Sequence, residues 1–127
     1  MDLAYTGVAK NVNLRTMKVL SSSGSGSWIG VALGVEAVIA NTTVGDRAII
    51  NFSIGGGYSS FFNDKILSAT MDNILVVVAA GNENTDACTK SPASASSALT
   101  VAALGDSTTT DYRAWYSNYG TCVDIFA

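Results

Sequence analysis

Residues 74–82 read ILVVVAAGN, an apolar run that ends in a glycine and an asparagine. A run that is apolar at every position is typical of a parallel strand buried on both faces of its sheet. Residues 81–97 follow it as a long segment without periodicity, and they contain Cys88 and the only proline, Pro92. Long irregular loops in compact domains usually carry function. The sequence therefore predicts a buried parallel strand at 74–80 with a functional loop at its carboxyl end.

The segments around this run alternate between helical and strand patterns. Apolar residues at i, i+4 and i+7 predict a helix over residues 28–40, with Ser27 as its N-cap. A second helix is expected to start after Ser59 or Ser60 and to run to about Asp72, with Phe62, Ile66 and Ala69 facing inward. Further strands are predicted at residues 16–20, 48–54, 98–104 and 122–126. Because helices connect apolar strands, the sequence favours an α/β fold, a parallel sheet with helices on its faces.

The composition indicates a folded chain and excludes several classes of protein. Hydrophobic residues make up 48% of the 127 residues and charged residues 13%, whereas soluble chains carry roughly 25% charge. The net charge is −3 and the seven basic residues form no patch, so no nucleic-acid partner is expected. No apolar run approaches the roughly 20 residues that span a bilayer, so no membrane association is expected. The acidic start at Met1-Asp2 lacks the basic region of a signal peptide.

Rare and missing residue types limit the chemistry of this chain. It contains no histidine, which excludes a histidine base and a histidine metal site within it. Its two cysteines, Cys88 and Cys122, are too few for a four-cysteine zinc site and too far apart for a CxxC pair. One disulfide and two buried thiols both stay open as alternatives.

Loops with bare backbone or a side-chain amide follow three of the predicted strands, at residues 24–26, 53–57 and 79–82. Because ligands bind beyond the carboxyl ends of parallel strands, we expect these loops to line one site. The glycines at 53–57 let an extended ligand pair there as an added strand. The amide of Asn82 can donate to an oxygen in the same crevice, and its alternative is an ordinary turn residue.

The loop at residues 24–30 also permits a second hypothesis, a Rossmann-like nucleotide-binding protein. It follows a predicted strand and opens a helix, as a dinucleotide-binding loop does. Its spacing, however, is GxGxxxG, and the next strand ends in Ser53-Ile54-Gly55 without an acidic residue for a ribose. Nucleotide binding is therefore the alternative, and not the main prediction.

Several short motifs together match one family. In chain order they are GVAK at 7–10, KVL at 18–20, GSG at 24–26, SIGGGYS at 53–59, VVAAGN at 77–82, SPAS at 91–94, LTV at 99–101, YSNYG at 116–120 and DIF at 124–126. With these motifs the chain resembles the subtilisin-like serine peptidases, most closely their proteinase K and aqualysin branch. The resemblance implies a three-layer subtilisin-like fold with helices on both faces of a parallel sheet, incomplete in this chain. It also implies peptide or protein substrates.

The resemblance places the three loops in a peptide-binding cleft. It implies that Asn82 is the oxyanion-hole asparagine, whose amide donates to the oxygen of the tetrahedral intermediate. The two rims of the cleft would be Gly24, Ser25 and Gly26 on one side and Ser53, Ile54 and Gly55 on the other. The pocket for the residue before the scissile bond would be walled by Ala79, Ala80, Gly81, Gly55 and Gly56. Trp28 would line a more distant subsite, with a place in the helix core as the alternative.

Two further features are implied by the resemblance. Asp124 matches a calcium-binding carboxylate, and the other protein ligands would be the backbone carbonyls of Ser96 and Ala98. Oxygen ligands of this kind suit calcium, and the alternative is a surface aspartate. Cys88 and Cys122 match a bonded pair in aqualysin-like members, which favours the disulfide over free thiols.

The family's catalytic aspartate, histidine and serine motifs are not found in residues 1–127. The whole chain is therefore expected to be the central part of a subtilase catalytic domain without either end. We expect the segment alone to be inactive, and the full-length protein to be a secreted, monomeric serine endopeptidase. The alternative within the family is a non-catalytic relative or a gene remnant.

Overall fold

The fold is built on a parallel sheet, seen in a computed structural model that describes residues 8–43, 45–106 and 110–127. In chain order the elements are α1 (Trp28–Ala40), β1 (Ile49–Phe52), β2 (Gly56–Gly57), α2 (Ser60–Met71), β3 (Leu75–Ala79), a short 3-10 helix (Ala87–Thr89), β4 (Lys90–Ser91), β5 (Leu99–Ala102) and β6 (Ile125–Phe126). The four-stranded sheet has the order β1-β3-β5-β6, and each neighbouring pair is parallel. Strands β2 and β4 form a separate antiparallel pair. The predicted parallel sheet is confirmed.

Both helices begin where the sequence predicts. The Ser27 side chain accepts a hydrogen bond from the Gly30 amide at 3.1 Å, and α1 has the predicted bounds. At α2 the cap is Ser59, whose hydroxyl accepts from the Phe62 amide at 3.2 Å. A serine hydroxyl satisfies an amide that has no partner in the first turn, which is why these residues start helices.

The two helices pack together against one face of β1 and β3. The apolar residues that fill this space, the helix-side core, are Val31, Ala32, Val35, Ile50, Phe52, Phe62, Ile66, Ala69, Ile74, Val76, Val78, Ala95 and Ala98. Phe62 is fully buried and meets Phe52 edge to face, with ring centroids 5.7 Å apart. The i, i+4 and i+7 spacing on each helix is thus the pattern of its buried face.

The opposite face of the sheet is open in the part of the chain that the structure describes. Along β3 buried and exposed residues alternate, so Val76 and Val78 are buried while Leu75 is 48% exposed. On neighbouring strands Ile49 and Ile125 are 66% and 50% exposed on the same side. Burial of the 74–80 strand on both faces is therefore not observed, because both described helices lie on one side.

The predicted strand at residues 16–20 is wrong. Residues 12–19 form neither helix nor strand, and among the described strands β1 pairs with β3 alone. Val19 packs on α1 instead, where a Cβ atom added to Gly34 would lie 2.7 Å from its Cγ1. Val19 is thus held by side-chain packing, and residues of the 13–20 segment, α1 and β1 together line a cavity of about 700 Å³.

A second, smaller core lies beneath the long loop after β3. This loop-side core consists of Ala80, Ala87, Ala93 and Ala102, with Cys122 and Val123 packed against it. The predicted irregular segment at 81–97 is interrupted by the 3-10 helix and by β4, whose partner is the glycine pair of β2.

Neither α1 nor α2, nor any other helix in the part of the chain that the structure describes, has the length and apolar character of a membrane-spanning helix.

Candidate active site

A cavity of about 360 Å³ lies just beyond the carboxyl ends of β1, β3 and β5. Its walls come from all three strand ends and comprise Asn51, Ser53, Val77, Val78, Ala79, Ala80, Gly81, Asn82, Val101, Ala102, Ala103 and Ala127. The predicted meeting of the loops after β1 and β3 at one edge of the sheet is therefore confirmed. Most of the wall is small and apolar, and the polar groups at its rim are side chains of serine and asparagine.

Asn82 is an exposed residue that lines this cavity. It is preceded by Gly81, which adopts a φ of 103° that favours glycine. The loop is fastened to the YSNYG stretch, because the Asn84 amide donates to the Tyr116 carbonyl at 2.8 Å and the Asn118 amide donates to the Gly81 carbonyl at 3.0 Å. The Asn82 side chain is thus carried by a loop that is anchored on both sides of it.

The residues after β1 divide between the cavity and the core. Ser53 lines the cavity, and its hydroxyl accepts a hydrogen bond from Asn51 Nδ2 at 3.1 Å. Ile54 packs against the helix-side core, and Gly55 is exposed. Gly56 is not part of the cavity wall, and it pairs with Ser91 in the β2–β4 ladder. The structure therefore unites Ser53 with Ala79, Ala80, Gly81 and Asn82, and it does not place Gly55 and Gly56 in that wall.

The loop of Gly24, Ser25 and Gly26 lies apart from this cavity. It is closed by hydrogen bonds from the Ser21 amide to the Ser25 carbonyl at 2.9 Å and from the Gly24 amide to the Ser21 carbonyl at 3.1 Å. It leads directly into α1, as predicted. The strand that a dinucleotide-binding loop needs before it is missing from the described residues. The Rossmann-like alternative therefore loses its structural basis.

Trp28, the first residue of α1, contacts α2 and the glycine backbone of β2. Its ring stacks on Phe62 with centroids 4.8 Å apart and an interplanar angle of 20°. A Cβ atom added to Gly56 would lie 2.8 Å from Trp28 Cζ2, so the indole covers the glycine backbone. The ring packs against the edge of the helix-side core. This supports the alternative in which Trp28 has a place in the helix core.

Asp124 lies beside the start of β5. Its Oδ2 accepts a hydrogen bond from the Thr100 amide at 2.7 Å, and its own amide donates to the Thr100 carbonyl at 3.0 Å. Ser96 and Ala98 lie just before the same strand, with Ser96 exposed and Ala98 buried. Among the described residues no group of three histidine, cysteine, aspartate or glutamate side chains could hold a metal ion. A cation here would therefore depend on backbone carbonyls.

The predicted disulfide is present. Cys88 and Cys122 are bonded across 34 residues of sequence, which ties the 3-10 helix to the segment before β6. A backbone hydrogen bond adds a polar tie at the same place, because the Ala87 amide donates to the Tyr119 carbonyl at 2.8 Å. Asp86 Oδ1 accepts from the Cys88 amide at 2.9 Å and so caps the 3-10 helix. The disulfide thus joins the loop after β3 covalently to the segment before β6.

The sequence prediction missed one residue of this region, Asn118. It is fully buried and its side chain contacts the loop that carries Asn82. The YSNYG stretch was recognised as a motif, but a polar residue in a predicted turn is normally exposed. The motif marks this stretch as one to examine, but nothing in its sequence indicates that the asparagine faces inward.

The comparisons with known proteins agree with the motifs. Residues 2–127 match the model of the peptidase S8 subtilase family. The chain is 47% identical over 121 residues to "Alkaline serine exoprotease A" of Vibrio alginolyticus, covering 95% of this chain and 22% of that protein. It is also 47% identical over 121 residues to "Extracellular serine proteinase" of Thermus sp. (strain Rt41A), covering 95% of this chain and 28% of that protein.

The solved structures give the same result for the fold. A cold adapted subtilisin-like serine proteinase superposes with a TM-score of 0.87 and 43% identity, covering 95% of this chain and 42% of that one. The subtilisin-like fold class expected from the sequence is thereby confirmed. The chain spans between about a fifth and a third of the length of its curated relatives.

Proposed function

The chain belongs to the subtilase family of serine proteases, and we propose that it forms the oxyanion donor and part of the substrate cleft of a serine endopeptidase. The observation that supports this most directly is the common cavity of Ser53, Ala79, Ala80, Gly81 and Asn82 beyond the strand ends. A side-chain amide lining an apolar crevice can serve as one of the hydrogen-bond donors that stabilise an oxyanion during peptide-bond hydrolysis. Residues 1–127 are proposed to be the central part of the catalytic domain.

The proposed role of Asn82 is to stabilise developing charge. When a nucleophile attacks a peptide carbonyl, its oxygen becomes an oxyanion that needs hydrogen-bond donors already in position. The Asn82 side chain carries two N–H donors and is exposed to the cavity. Because its loop is anchored to Tyr116 and Asn118, the donor is held before the reaction begins.

The proposed substrate is an extended peptide. Beside Asn82, the walls of Ala79, Ala80 and Val101 leave an apolar space without a charged group, which suits an uncharged residue before the scissile bond. Ser53 and Gly55 are exposed at the end of β1 and are proposed to pair with the peptide backbone as an added strand. The loop of Gly24, Ser25 and Gly26, with Trp28, is proposed to form the second rim.

The proposed nucleophile and base lie outside these 127 residues. The chain has no histidine, and the activity is proposed to belong to a complete domain of the relatives' length. The segment alone is therefore expected to be inactive. It is also expected to be poorly soluble, because the open face of its sheet exposes Ile49, Leu75 and Ile125. Peptide hydrolysis by the purified 127-residue chain, unaffected by a histidine-directed reagent, would contradict this division of roles.

A hybrid enzyme provides the test. We define it as the Vibrio alginolyticus exoprotease with its aligned 121-residue stretch replaced by that of this chain. A folded hybrid should hydrolyse a chromogenic peptide, and Asn82→Ala should lower its kcat by about 100- to 1000-fold with little change in KM, a range that includes a measured subtilisin case. Asn41→Ala, which removes another exposed asparagine at the end of α1, should leave both constants unchanged.

Two outcomes would contradict the proposal. A hybrid that folds, as judged by a cooperative thermal transition, but has no activity would show that this segment lacks a working cleft. An active hybrid in which Asn82→Ala and Asn41→Ala behave alike would show that Asn82 is a turn residue.

Secretion of the complete protein as a monomer is part of the proposal. The Thermus relative is named an extracellular proteinase, and the Vibrio relative an exoprotease. The Cys88–Cys122 disulfide agrees with this, because structural disulfides persist in oxidising compartments.

Calcium at Asp124 is also proposed. The donor set of one carboxylate and the carbonyls of Ser96 and Ala98 fits a hard cation that prefers oxygen. Since Asp124 Oδ2 already accepts the Thr100 amide, the other carboxylate oxygen would contact the ion. Bound calcium would supply charge that holds the start of β5 to the segment before β6.

A further inference from the structure

Asn118 is a buried amide whose every side-chain group has a partner in one short loop. Its side chain is fully buried, and its Oδ1 accepts hydrogen bonds from the Glu83 amide at 3.1 Å and the Thr85 amide at 3.0 Å. Its Nδ2 donates to the Ala80 carbonyl at 2.8 Å and to Glu83 Oε2 at 2.6 Å. The amide therefore uses both donors and both acceptor positions.

These partners lie on both sides of Asn82. The Ala80 carbonyl comes two residues before it, and the Glu83 and Thr85 amides come one and three residues after it. The backbone of Asn118 adds a fifth hydrogen bond to this loop, because its amide donates to the Gly81 carbonyl at 3.0 Å. A single buried side chain thus fixes the backbone of the loop from residue 80 to residue 85.

Only an amide of this size satisfies the arrangement. The two loop amides demand an acceptor, whereas the Ala80 carbonyl and the Glu83 carboxylate demand a donor. These partners fix the orientation of the amide, because a flipped amide would place Nδ2 against the two N–H donors and Oδ1 against the two acceptor oxygens. A Cβ atom added to Gly81 would overlap Asn118 Nδ2, so the glycine is needed to let the amide approach.

We propose that Asn118 is a positioning residue that holds the Ala80–Thr85 loop so that Asn82 points at the reacting carbonyl oxygen. The inference rests on the proposed role of Asn82 and assigns Asn118 no contact with substrate. Its physical basis is that donors stabilise an oxyanion only when they are oriented in advance. A displacement of about 1 Å at the reacting atoms can reduce the rate by about 100-fold.

The first test removes the amide in the hybrid enzyme. Asn118→Ala should lower kcat by about 10- to 100-fold and leave KM within about threefold. In the same variant the Glu83 and Thr85 amides should exchange with deuterium at least about tenfold faster, since they lose their acceptor. Asn63→Ala is the matched control, because Asn63 also bonds through both its groups, to Ser91 and Ser94, but far along the chain from Asn82.

The second test uses the conservative variant Asn118→Asp. Its carboxylate would retain an acceptor for the loop amides but would face the Ala80 carbonyl and Glu83, which raises its pKa by repulsion. The neighbouring cations are Lys90, 4.0 Å from Glu83 Oε1, and Arg113, which donates to the Ser117 carbonyl. Protonation restores a donor, so kcat relative to the parent should rise as the pH falls. A kcat ratio, measured per folded enzyme, that does not change with pH would contradict this expectation.

A double-mutant cycle separates this inference from the proposed function. If Asn118 acts through Asn82, Asn118→Ala should cost less than about twofold in kcat when Asn82→Ala is already present. Equal losses in both backgrounds, or an Asn118→Ala variant with the parental kcat, would overturn the positioning role while leaving the Asn82 role intact. If Asn82→Ala itself has no effect, the proposed function fails instead.

Discussion

The helix-side core and the loop-side core are held together by different means. The helix-side core is filled by large side chains such as Phe62, Ile66 and Phe52, which exclude water by their volume. The loop-side core contains alanines, and its position is fixed by hydrogen bonds of Asn118 and by the Cys88–Cys122 disulfide. The candidate site lies where these regions meet, at the end of β3. The difference suggests that stability comes mainly from one region and orientation of the site from the other.

Truncation of the largest helix-side residue should have the greatest effect on stability. Phe62→Ala removes a fully buried ring that contacts Trp28 and Phe52, and such changes cost about 3–5 kcal/mol. Chemical denaturation of the inhibited hybrid enzyme measures the free energy of unfolding. Phe61→Ala, at a residue that is 46% exposed, should cost less than about 1 kcal/mol. Similar losses for the two variants would contradict the assignment of the buried helix face.

Loss of the disulfide should have the next largest effect. In the chain-entropy view, a loop of 34 residues is worth about 4 kcal/mol, and measured values are typically about 2–4 kcal/mol. The double variant Cys88→Ala, Cys122→Ala should lower the free energy of unfolding by about 2–4 kcal/mol. It should also increase proteolytic cleavage within residues 81–97. A loss below about 1 kcal/mol would show that the hydrogen bonds alone close this loop.

These two regions also differ in how far the sequence predicts them. The bounds of α1 and the buried positions Phe62, Ile66 and Ala69 follow from helical spacing, because one face of a helix must be apolar. Asn118 was missed, because a polar residue in a loop is buried only when distant backbone groups satisfy it. The strand at 16–20 was wrong for a related reason, since β propensity does not supply a neighbouring strand.

The candidate site likewise has features that the sequence predicts and features that it does not. That the loops after β1 and β3 share an edge follows from parallel strand order, and the cavity with Ser53 and Asn82 confirms it. That Gly56 is covered by Trp28 and paired with Ser91 does not follow from the local sequence. It depends on how α1 and the β2–β4 pair pack, which only the tertiary structure determines.

A glycine series separates backbone strain from contact with Asn118. Gly81→Ala combines a φ of 103° with overlap of the buried amide, and we expect a loss of about 1–3 kcal/mol together with a lower kcat. Gly24→Ala has a φ of 76° but nothing within 4 Å, so only the backbone strain of about 1–2 kcal/mol remains. Gly57→Ala has neither feature and should change stability by less than about 0.5 kcal/mol. An unchanged kcat in Gly81→Ala would argue that the loop tolerates movement.

The smallest expected effect concerns Asp124, and it tests whether the loop-side region also depends on a cation. Asp124→Asn keeps an oxygen that can accept from the Thr100 amide but loses the charge, so without calcium the cost should be about 1 kcal/mol or less. With 10 µM to 10 mM calcium, on the order of the known range of extracellular sites, the parent hybrid should gain thermal stability and the variant should gain less. Asp64→Asn, on an exposed position of α2, should leave the calcium response unchanged. Because the host enzyme contributes its own response, the informative quantity is the difference between the two variants. Equal responses would mean that Asp124 serves β5 only through the hydrogen bond to Thr100, and the loop-side region would then be held by protein contacts alone.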